Sequence, residues 1–233
     1  LRGDQSKEVS QTNGIFRTRS NLLGDIINSN PVLVSNQDYG VGNATFTAAK
    51  KTRTPMIYVG ANDGMLHAFK ESDGVERFAY IPSQTVLSLN RLTATDYAKN
   101  HRYLLDGSPR AGDAYINSAW KTVLLGSTGA GGKTIFALDV TEPDTFGTDD
   151  VLWEYTSSHM GYAIPQVTLG QLANGDWSAI IANGYNSTAQ EAKLIVLDLA
   201  TGAENKVLAT GAGSTTSPNG LSTPVPIDID GDR

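Results

Sequence analysis

Three aspartates near the end of the sequence have the residue type and spacing of metal ligands. Asp228, Asp230 and Asp232 alternate in the stretch PVPIDIDGDR, where Gly231 allows a sharp turn. Calcium is a hard cation that takes about six to eight oxygen ligands, and closely spaced carboxylates in one loop supply them. Three carboxylates this close would repel one another without a cation. The pattern therefore favours a calcium site over its alternative, an acidic turn at the edge of a sheet.

The spacing of these aspartates departs from that of an EF-hand loop. An EF-hand also places ligands at its first, third and fifth positions, but its glycine is at the sixth, whereas Gly231 stands at the fourth. Any later ligand would follow Arg233, the last residue. We therefore expect a fragment that ends within a calcium-loop motif, with any signal peptide upstream of Leu1.

A second short motif stands at the start of the sequence. Arg2-Gly3-Asp4 has the letters of an integrin-type adhesion tripeptide. We favour the explanation of chance or local turn geometry, because all three residue types are common. Arg2, Gly3 and Asp4 are kept as a candidate integrin-binding site.

The stretch Gly126–Thr134 resembles a phosphate-binding loop but lacks two of its features. Gly132, Lys133 and Thr134 fit the motif, yet Ser127 stands where the first glycine is required. A phosphate loop must also open a helix, whose N-terminal N–H groups hold the phosphate, whereas a strand-like run follows here. We expect a glycine hairpin that does not bind nucleotide.

The three histidines, His67, His101 and His159, show neither metal-ligand nor triad spacing. We interpret each as a hydrogen-bonded or exposed side chain. No Ser/His/Asp set and no pair of carboxylates stands out as a catalytic centre. The sequence therefore predicts no catalytic residue and a protein that is not an enzyme.

Short strand-like runs separated by tight turns must position these motifs. The stretch TPMIYVGANDGMLHAFKESDGVERFAYIP contains three such runs, with turns at Asn62-Asp63-Gly64 and Ser72-Asp73-Gly74. Asn and Asp bond their own backbone in turns, and Gly accepts a positive φ without steric cost. The meander recurs twice, and a further strand precedes each copy. The predicted strands are Pro31–Ser35, Met56–Gly60, Met65–Lys70, Glu76–Ile81, Gly112–Asn117, Trp120–Gly126, Thr134–Val140, Val151–Thr156, Pro165–Leu172, Trp177–Gly184, Lys193–Leu199 and Lys206–Ala209.

Four antiparallel strands repeated about every 55–65 residues suggest propeller blades. We predict an all-β fold, a modified and incomplete β-propeller of four-stranded antiparallel blades with a short helical insertion. In that insertion Ser83 can cap a helix whose apolar positions Val86, Leu89 and Leu92 recur at helical spacing. The helix should end near Asn100.

Two further expectations concern exposure to solvent. The stretch Tyr39–Arg53 is rich in Gly, Asn, Thr and Lys, which predicts an exposed loop. Apolar residues at repeated strand positions should form the core. These residues are Tyr58, Leu66, Phe69, Leu124, Phe136, Leu138, Ile181, Ile195 and Leu197.

Composition excludes several classes of function. The chain has 233 residues, enough for one sizeable all-β domain, a formal net charge of −6 and no cysteine. No run of Lys and Arg marks a nucleic-acid face. The absence of cysteine excludes disulfides and thiol chemistry, and it suits an oxidising compartment. No apolar run approaches membrane-spanning length.

Seven segments, spread in order along nearly the whole chain, point to a known family. They are LRGD, LGDIINSNPVLV, IYVGANDGMLHAF, HRYLLDGSPRAGDAYI, LLGSTGAGGKTIFALDV, LANGDWSAIIANGYNS and PVPIDIDGDR. Together they resemble the C-terminal domain of the PilY1/PilC family of type IV pilus tip adhesins and biogenesis factors. The resemblance implies that residues 1–233 form the N-terminal part of a modified β-propeller. It also implies a calcium loop of the type D-x-D-x-D-x-x-x-D, whose first three acidic positions Asp228, Asp230 and Asp232 match.

The same resemblance implies a function at the cell surface. It implies a non-enzymatic, calcium-binding protein, secreted to the periplasm and outer membrane, at the pilus tip, with pilins or minor pilins as partners. The expected roles are pilus assembly, control of extension and retraction by the calcium loop, and surface adhesion. An RGD in one family member is linked to integrin binding, and Arg2-Gly3-Asp4 matches its letters.

Two other functions are kept as alternatives. The stretch IYVGANDGMLHAF also resembles the repeats of pyrroloquinoline-quinone dehydrogenases, which need polar and metal-binding residues at the propeller axis. No such constellation is visible in this sequence. The other alternative is a structural scaffold whose loops bind a pilin partner.

Overall fold

Three separate four-stranded antiparallel sheets form the computed structural model, which describes residues 3–40 and 43–227. In each sheet the strands lie side by side in chain order, so each is a meander, and the sheets are not closed into barrels. The first sheet consists of β1 (Val32–Val34), β2 (Met56–Gly60), β3 (Leu66–Lys70) and β4 (Glu76–Tyr80). The second consists of β5 (Arg110–Ile116), β6 (Ala119–Ser127), β7 (Ile135–Asp139) and β8 (Val151–Tyr155). The third consists of β9 (Thr168–Gln171), β10 (Trp177–Ala182), β11 (Glu191–Asp198) and β12 (Glu204–Gly213).

The predicted all-β fold of propeller-like meanders is therefore confirmed. Each of the twelve predicted strands overlaps one of these twelve strands, although β12 has 10 residues, more than the four predicted. The first strands of the sheets lie next to one another, with β5 in contact with both β1 and β9. This arrangement is that of propeller blades whose first strands converge.

Two tight turns show why the first sheet forms a meander. Gly64, between β2 and β3, has a φ of +92°, and its N–H donates to the carbonyl of Ala61. Gly74, between β3 and β4, has a φ of +70°, and Asp73 accepts a hydrogen bond from the N–H of Val75. A positive φ favours glycine because a Cβ would clash with the backbone. The turn residues thus reverse the chain where the sequence predicts.

The second sheet is buried on both faces. Successive side chains of a strand point to opposite faces, so Leu124 and Leu125 of β6 enter different cores. Leu124 packs in a cluster with Tyr58 of the first sheet, whereas Leu125 packs in a cluster with Ile181 of the third. The three sheets are therefore stacked face to face, with the second in the middle.

Eight of the nine predicted core residues are buried, and Phe69 is the exception. Leu66 and Phe69 are three positions apart on β3 and cannot share a face. Leu66 and Ala68 face the second sheet, whereas Phe69 is half-buried on the opposite face. The prediction for Phe69 is wrong because it overlooked this alternation.

The predicted exposed loop Tyr39–Arg53 is also corrected. It contains a short helix, α1 (Ala44–Ala49), capped by the side chain of Asn43. Lys50 and Arg53 are both buried. The Nζ of Lys50 donates to the carboxylate of Asp113 on β5. A buried charge is stable only when it is paired, so this connection is fastened to the second sheet.

The predicted helix in the Ser83–Asn100 region is broken. Only α2 (Ser83–Val86) is α-helical, and single 3₁₀ turns follow at Leu89–Thr93 and Tyr97–Lys99. Ser83 is the first residue of α2 and not its cap. Seven of the 18 residues in the Ser83–Asn100 region are Ser, Thr or Asn, whose side chains compete for backbone hydrogen bonds.

The apolar positions of this helical region have different environments. Leu89 and Leu92 are buried in a small cluster with Tyr97 and Leu104, whereas Val86 is exposed. No helix among residues 3–40 and 43–227 has both the length and the hydropathy needed to cross a membrane.

Candidate functional site

A cleft of about 470 Å³ lies where the N-terminal segment, residues 3–27, meets the first sheet. The turn between β2 and β3 supplies Asn62 and Asp63, and the helical region supplies Leu92 and Tyr97. Four carboxylates and three cationic side chains line it together with apolar groups. The cleft therefore offers both charged and apolar groups to any molecule that enters it.

The N-terminal segment is anchored to the helical region by an arginine. The Nε of Arg17 donates to the carbonyl of Leu92 at 2.5 Å, and its guanidinium lies 4.7 Å from the ring centre of Tyr97. Arg19 pairs with the carboxylate of Glu8 within the segment, with 3.0 Å between Nε and Oε1. These contacts hold one wall of the cleft in place.

Asp4, the last residue of the candidate integrin-binding tripeptide, lines this cleft. Arg2 falls outside the described residues, whereas Gly3 and Asp4 are described. Asp4 is exposed, and its carboxylate accepts a hydrogen bond of 2.8 Å from the backbone N–H of Ser6. That backbone hydrogen bond lowers the pKa of Asp4, so its carboxylate is held in the ionised form. The adhesive role of the tripeptide stays a prediction.

His67 is paired with two carboxylates, which the sequence did not indicate. Its Nε2 lies 3.1 Å from both carboxylate oxygens of Asp63, and its Nδ1 lies 2.5 Å from Oε1 of Glu76. Burial opposes the charged ring, but the bonds to Asp63 and Glu76 outweigh this effect and raise the pKa of His67. The sequence signal that could have indicated this pairing is the predicted meander, because it places Asp63 and Glu76 beside the strand that carries His67.

The other two histidines are also hydrogen-bonded. The Nε2 of His101 lies 3.0 Å from Oδ2 of Asp25 in the N-terminal segment. His159 lies near Lys193, with 3.4 Å between Nδ1 and Nζ. No local pattern links His101 to Asp25, 76 residues away.

The predicted calcium ligands Asp228, Asp230 and Asp232 lie outside the described residues. Among residues 3–40 and 43–227, no group of three or more His, Cys, Asp or Glu side chains is arranged to hold a metal ion. The calcium site therefore stays a prediction.

The residues that lead to these aspartates are hydrogen-bonded to the third sheet. The N–H of Gln166 donates to Oγ1 of Thr223 at 3.0 Å, and Oγ1 of Thr168 donates to the carbonyl of Pro224 at 3.1 Å. Thr168 is the first residue of β9. The chain is thus held beside the first strand of the third sheet up to Pro224.

The Gly126–Thr134 stretch forms the predicted hairpin. β6 ends at Ser127 and β7 begins at Ile135, so a strand and not a helix follows Lys133. The Nζ of Lys133 donates to the carbonyl of Asn186 at 2.7 Å. The geometry lacks the helix N-terminus on which a phosphate loop depends, and absence of nucleotide binding stays a prediction.

Comparison with known proteins assigns the chain to a family. Residues 23–233 match the family described as the PilY1 β-propeller domain. The type IV pilus biogenesis factor PilY1 of Pseudomonas aeruginosa strain PAK is 47% identical over 96% of this chain and 20% of its own length. A PilY1 homologue of Xylella fastidiosa is 40% identical over 100% of this chain and 17% of its own length.

The fold agrees with this assignment. The crystal structure of the Pseudomonas aeruginosa PilY1 C-terminal domain superimposes with a TM-score of 0.67 at 44% identity, over 79% of this chain and 36% of that chain. The chain spans about a fifth of the length of the curated relatives it matches. This chain belongs to the family of PilY1 β-propeller domains.

Proposed function

We propose that this domain is part of a non-enzymatic, calcium-binding protein that supports type IV pilus assembly. The observation that carries the proposal is the family match, because its relatives are named as type IV pilus biogenesis factors. Those names do not favour the alternative of a quinone-dependent dehydrogenase. The chain covers a fifth of these relatives, so the activity of the whole protein belongs to the proposal.

The calcium site of this proposal consists of Asp228, Asp230 and Asp232. Their carboxylates are hard oxygen donors of the kind that calcium prefers. Support comes from their spacing and from the hydrogen bonds that hold Thr223 and Pro224 at the start of β9. An ion bound there would remove carboxylate repulsion and order the loop, and the cationic Arg233 would point away from it.

The partners and location follow from the pilus assignment. Pilins or minor pilins are the proposed partners, and the pilus tip and cell surface are the proposed location, reached by secretion through the periplasm and outer membrane. Ordering of the calcium loop would change how its face meets a pilus subunit and so control extension and retraction. Arg2, Gly3 and Asp4 belong to the proposed contact with host surface receptors such as integrin, and Asp4 lines the cleft.

Calorimetric titration of the intact protein with calcium tests the site. Asp230→Ala removes one ligand and one negative charge, so calcium affinity should fall by at least about tenfold while the fold survives. Asp176→Ala is the matched control, because it removes an exposed aspartate whose recorded bonds lie within the turn between β9 and β10. Equal affinity in Asp230→Ala and wild type would refute the site.

Counts of surface pili test the regulatory part. Asp230→Lys places a positive charge where the ion would lie and should mimic the bound state, whereas Asp230→Ala should not. Lost affinity with unchanged pili and motility would leave the calcium site but exclude its regulatory role. A quinone-like absorbance in the purified protein would instead favour the dehydrogenase.

A further inference from the structure

Two adjacent residues of the N-terminal segment are held by two adjacent residues of the turn between β2 and β3. The N–H of Gly24 donates to Oδ2 of Asp63 at 2.7 Å. The N–H of Asn62 donates to the carbonyl of Asp25 at 2.9 Å, and its Nδ2 donates to Oδ2 of the same residue at 2.8 Å. We call these four residues, Gly24, Asp25, Asn62 and Asp63, the clasp.

Each carboxylate of the clasp is hydrogen-bonded to a histidine. His67 bonds Asp63 at 3.1 Å, and His101 bonds Asp25 at 3.0 Å. The two histidines come from different parts of the chain, β3 and the region that follows Tyr97–Lys99. Both carboxylates that join the N-terminal segment to the first sheet therefore lie against titratable groups.

The geometry of His67 fits a charged ring. Ionised carboxylates only accept hydrogen bonds, so a histidine that bonds one through each ring nitrogen must carry a proton on both. Within residues 3–40 and 43–227, the charged groups that face His67 are Asp63, in the turn, and Glu76, on β4. The ring of Phe69 is stacked on the imidazole, with 5.6 Å between the ring centres.

We propose that the clasp is controlled by protonation: it holds the N-terminal segment while His67 is cationic and releases the segment when His67 gives its proton to water. The neutral ring has a single N–H for two carboxylates, and one of them is then left facing a lone pair. Glu76 can turn into solvent, because 45% of its side chain is exposed. Asp63, only 14% exposed, has no such freedom and loses its counter-charge while the segment covers it, so opening of the clasp becomes favourable because it lets water solvate this carboxylate.

Release would change the cleft, because the N-terminal segment forms one of its walls. The fit at Gly24 is tight, since a Cβ at this position would lie 2.4 Å from the backbone nitrogen of Asp63. A side chain there cannot be accommodated without separating the two parts. Gly24→Ala should therefore open the clasp without altering any titratable group.

The second carboxylate follows the same logic with different neighbours. Asp25 faces His101 and Asn62, and the ring of His101 also contacts Tyr97 and Tyr103. Burial opposes ionisation of Asp25, but the bonds from Asn62 and His101 outweigh it and lower its pKa. Asp25 therefore stays ionised across the range in which histidines titrate.

Limited trypsin digestion of the full-length protein tests this control. Cleavage after Arg17 and Arg19 would be followed by mass spectrometry between about pH 6 and pH 9, where histidines titrate. Each rate would be divided by that of a free peptide of residues 9–27, which corrects for the activity of trypsin. Cleavage of a transiently opened segment follows the population of the open form.

In wild type the corrected rate should rise with pH, by about tenfold for each unit by which closure raises the pKa of His67. The rise should be much smaller in His67→Gln, in which His101 is the histidine that still bonds the clasp, and Gly24→Ala should be cleaved rapidly throughout. His159→Gln, which removes a histidine outside the clasp, should follow wild type. The same pH profile in His67→Gln and wild type would overturn the proposal.

A measurement on the unmodified protein covers the case in which the variants do not fold. Histidine hydrogen–deuterium exchange, read by mass spectrometry, gives the pKa of each histidine separately. The proposal expects the value for His67 above the ordinary 6.5. A value at or below 6.5 would show that the closed clasp does not stabilise the charged ring and would overturn the proposal.

Discussion

The two faces of the first sheet differ in what they contribute. One face packs Tyr58, Leu66 and Ala68, none of them exposed, against the second sheet. The opposite face presents His67, with its two carboxylates, and the half-buried Phe69. Neighbouring residues on β3 thus have different roles, because successive side chains of a strand lie on opposite faces of the sheet. We infer that the first face provides stability and the second a reversible attachment of the N-terminal segment.

A β-bulge creates part of this difference. The pairing of β3 with β4 shifts between Ala68 and Phe69, so Phe69 pairs with Glu76 and not with Arg77. A bulge adds one residue to one strand and redirects the side chains beyond it. Here it brings Glu76 to the face that carries His67.

The largest effect is expected on the core face. Leu66→Ala should reduce the free energy of unfolding by about 2–5 kcal/mol, because it removes buried methyl groups and leaves a cavity between two sheets. Urea unfolding followed by tryptophan fluorescence measures this loss. A change below about 0.5 kcal/mol, the level of a surface substitution, would contradict the assigned register.

A smaller effect is expected three residues along the same strand. Phe69→Ala should cost about 1–2 kcal/mol, because a half-buried ring loses less apolar contact than a buried side chain. The same urea titration, performed on both variants, gives the ratio of their losses in free energy of unfolding. If Phe69→Ala were the more damaging, the two faces would not differ as described.

The smallest effect is a dependence of stability on pH. The pKa of His67 is raised in the folded chain, so its contribution is complete below its unfolded pKa of about 6.5 and is lost as pH rises through the folded value. Each unit of elevation corresponds to about 1.4 kcal/mol. Urea midpoints measured on both sides of this window should fall with pH in wild type and less so in His67→Gln. An equal fall in both would assign the effect to other groups.

Much of the fold could be predicted because its signals are local. Alternating apolar residues and the turns at Asn62-Asp63-Gly64 and Ser72-Asp73-Gly74 identify strands within a few residues. The broken helix after Ser83 and the buried Lys50 were missed. The helix is broken by local competition for backbone hydrogen bonds, whereas the contact with the distant Asp113 outweighs the local preference of Lys50 for solvent.

The candidate site was less predictable for the same reason. Sequence motifs reveal Arg2-Gly3-Asp4 and the aspartates from Asp228 onward, because the residues of each candidate site lie close together in the sequence. They do not reveal the clasp, whose halves are about forty residues apart and share no motif.

The sequence by itself determined the number and order of the strands, the tight turns and the family, since each depends on residues close together in the chain. Only the tertiary structure decided which faces are buried, that a bulge turns Glu76 toward His67, and that Asp63 receives the N–H of Gly24. These features arise when separate segments pack together, and the free energy of such contacts depends on distance in space and not on distance along the chain.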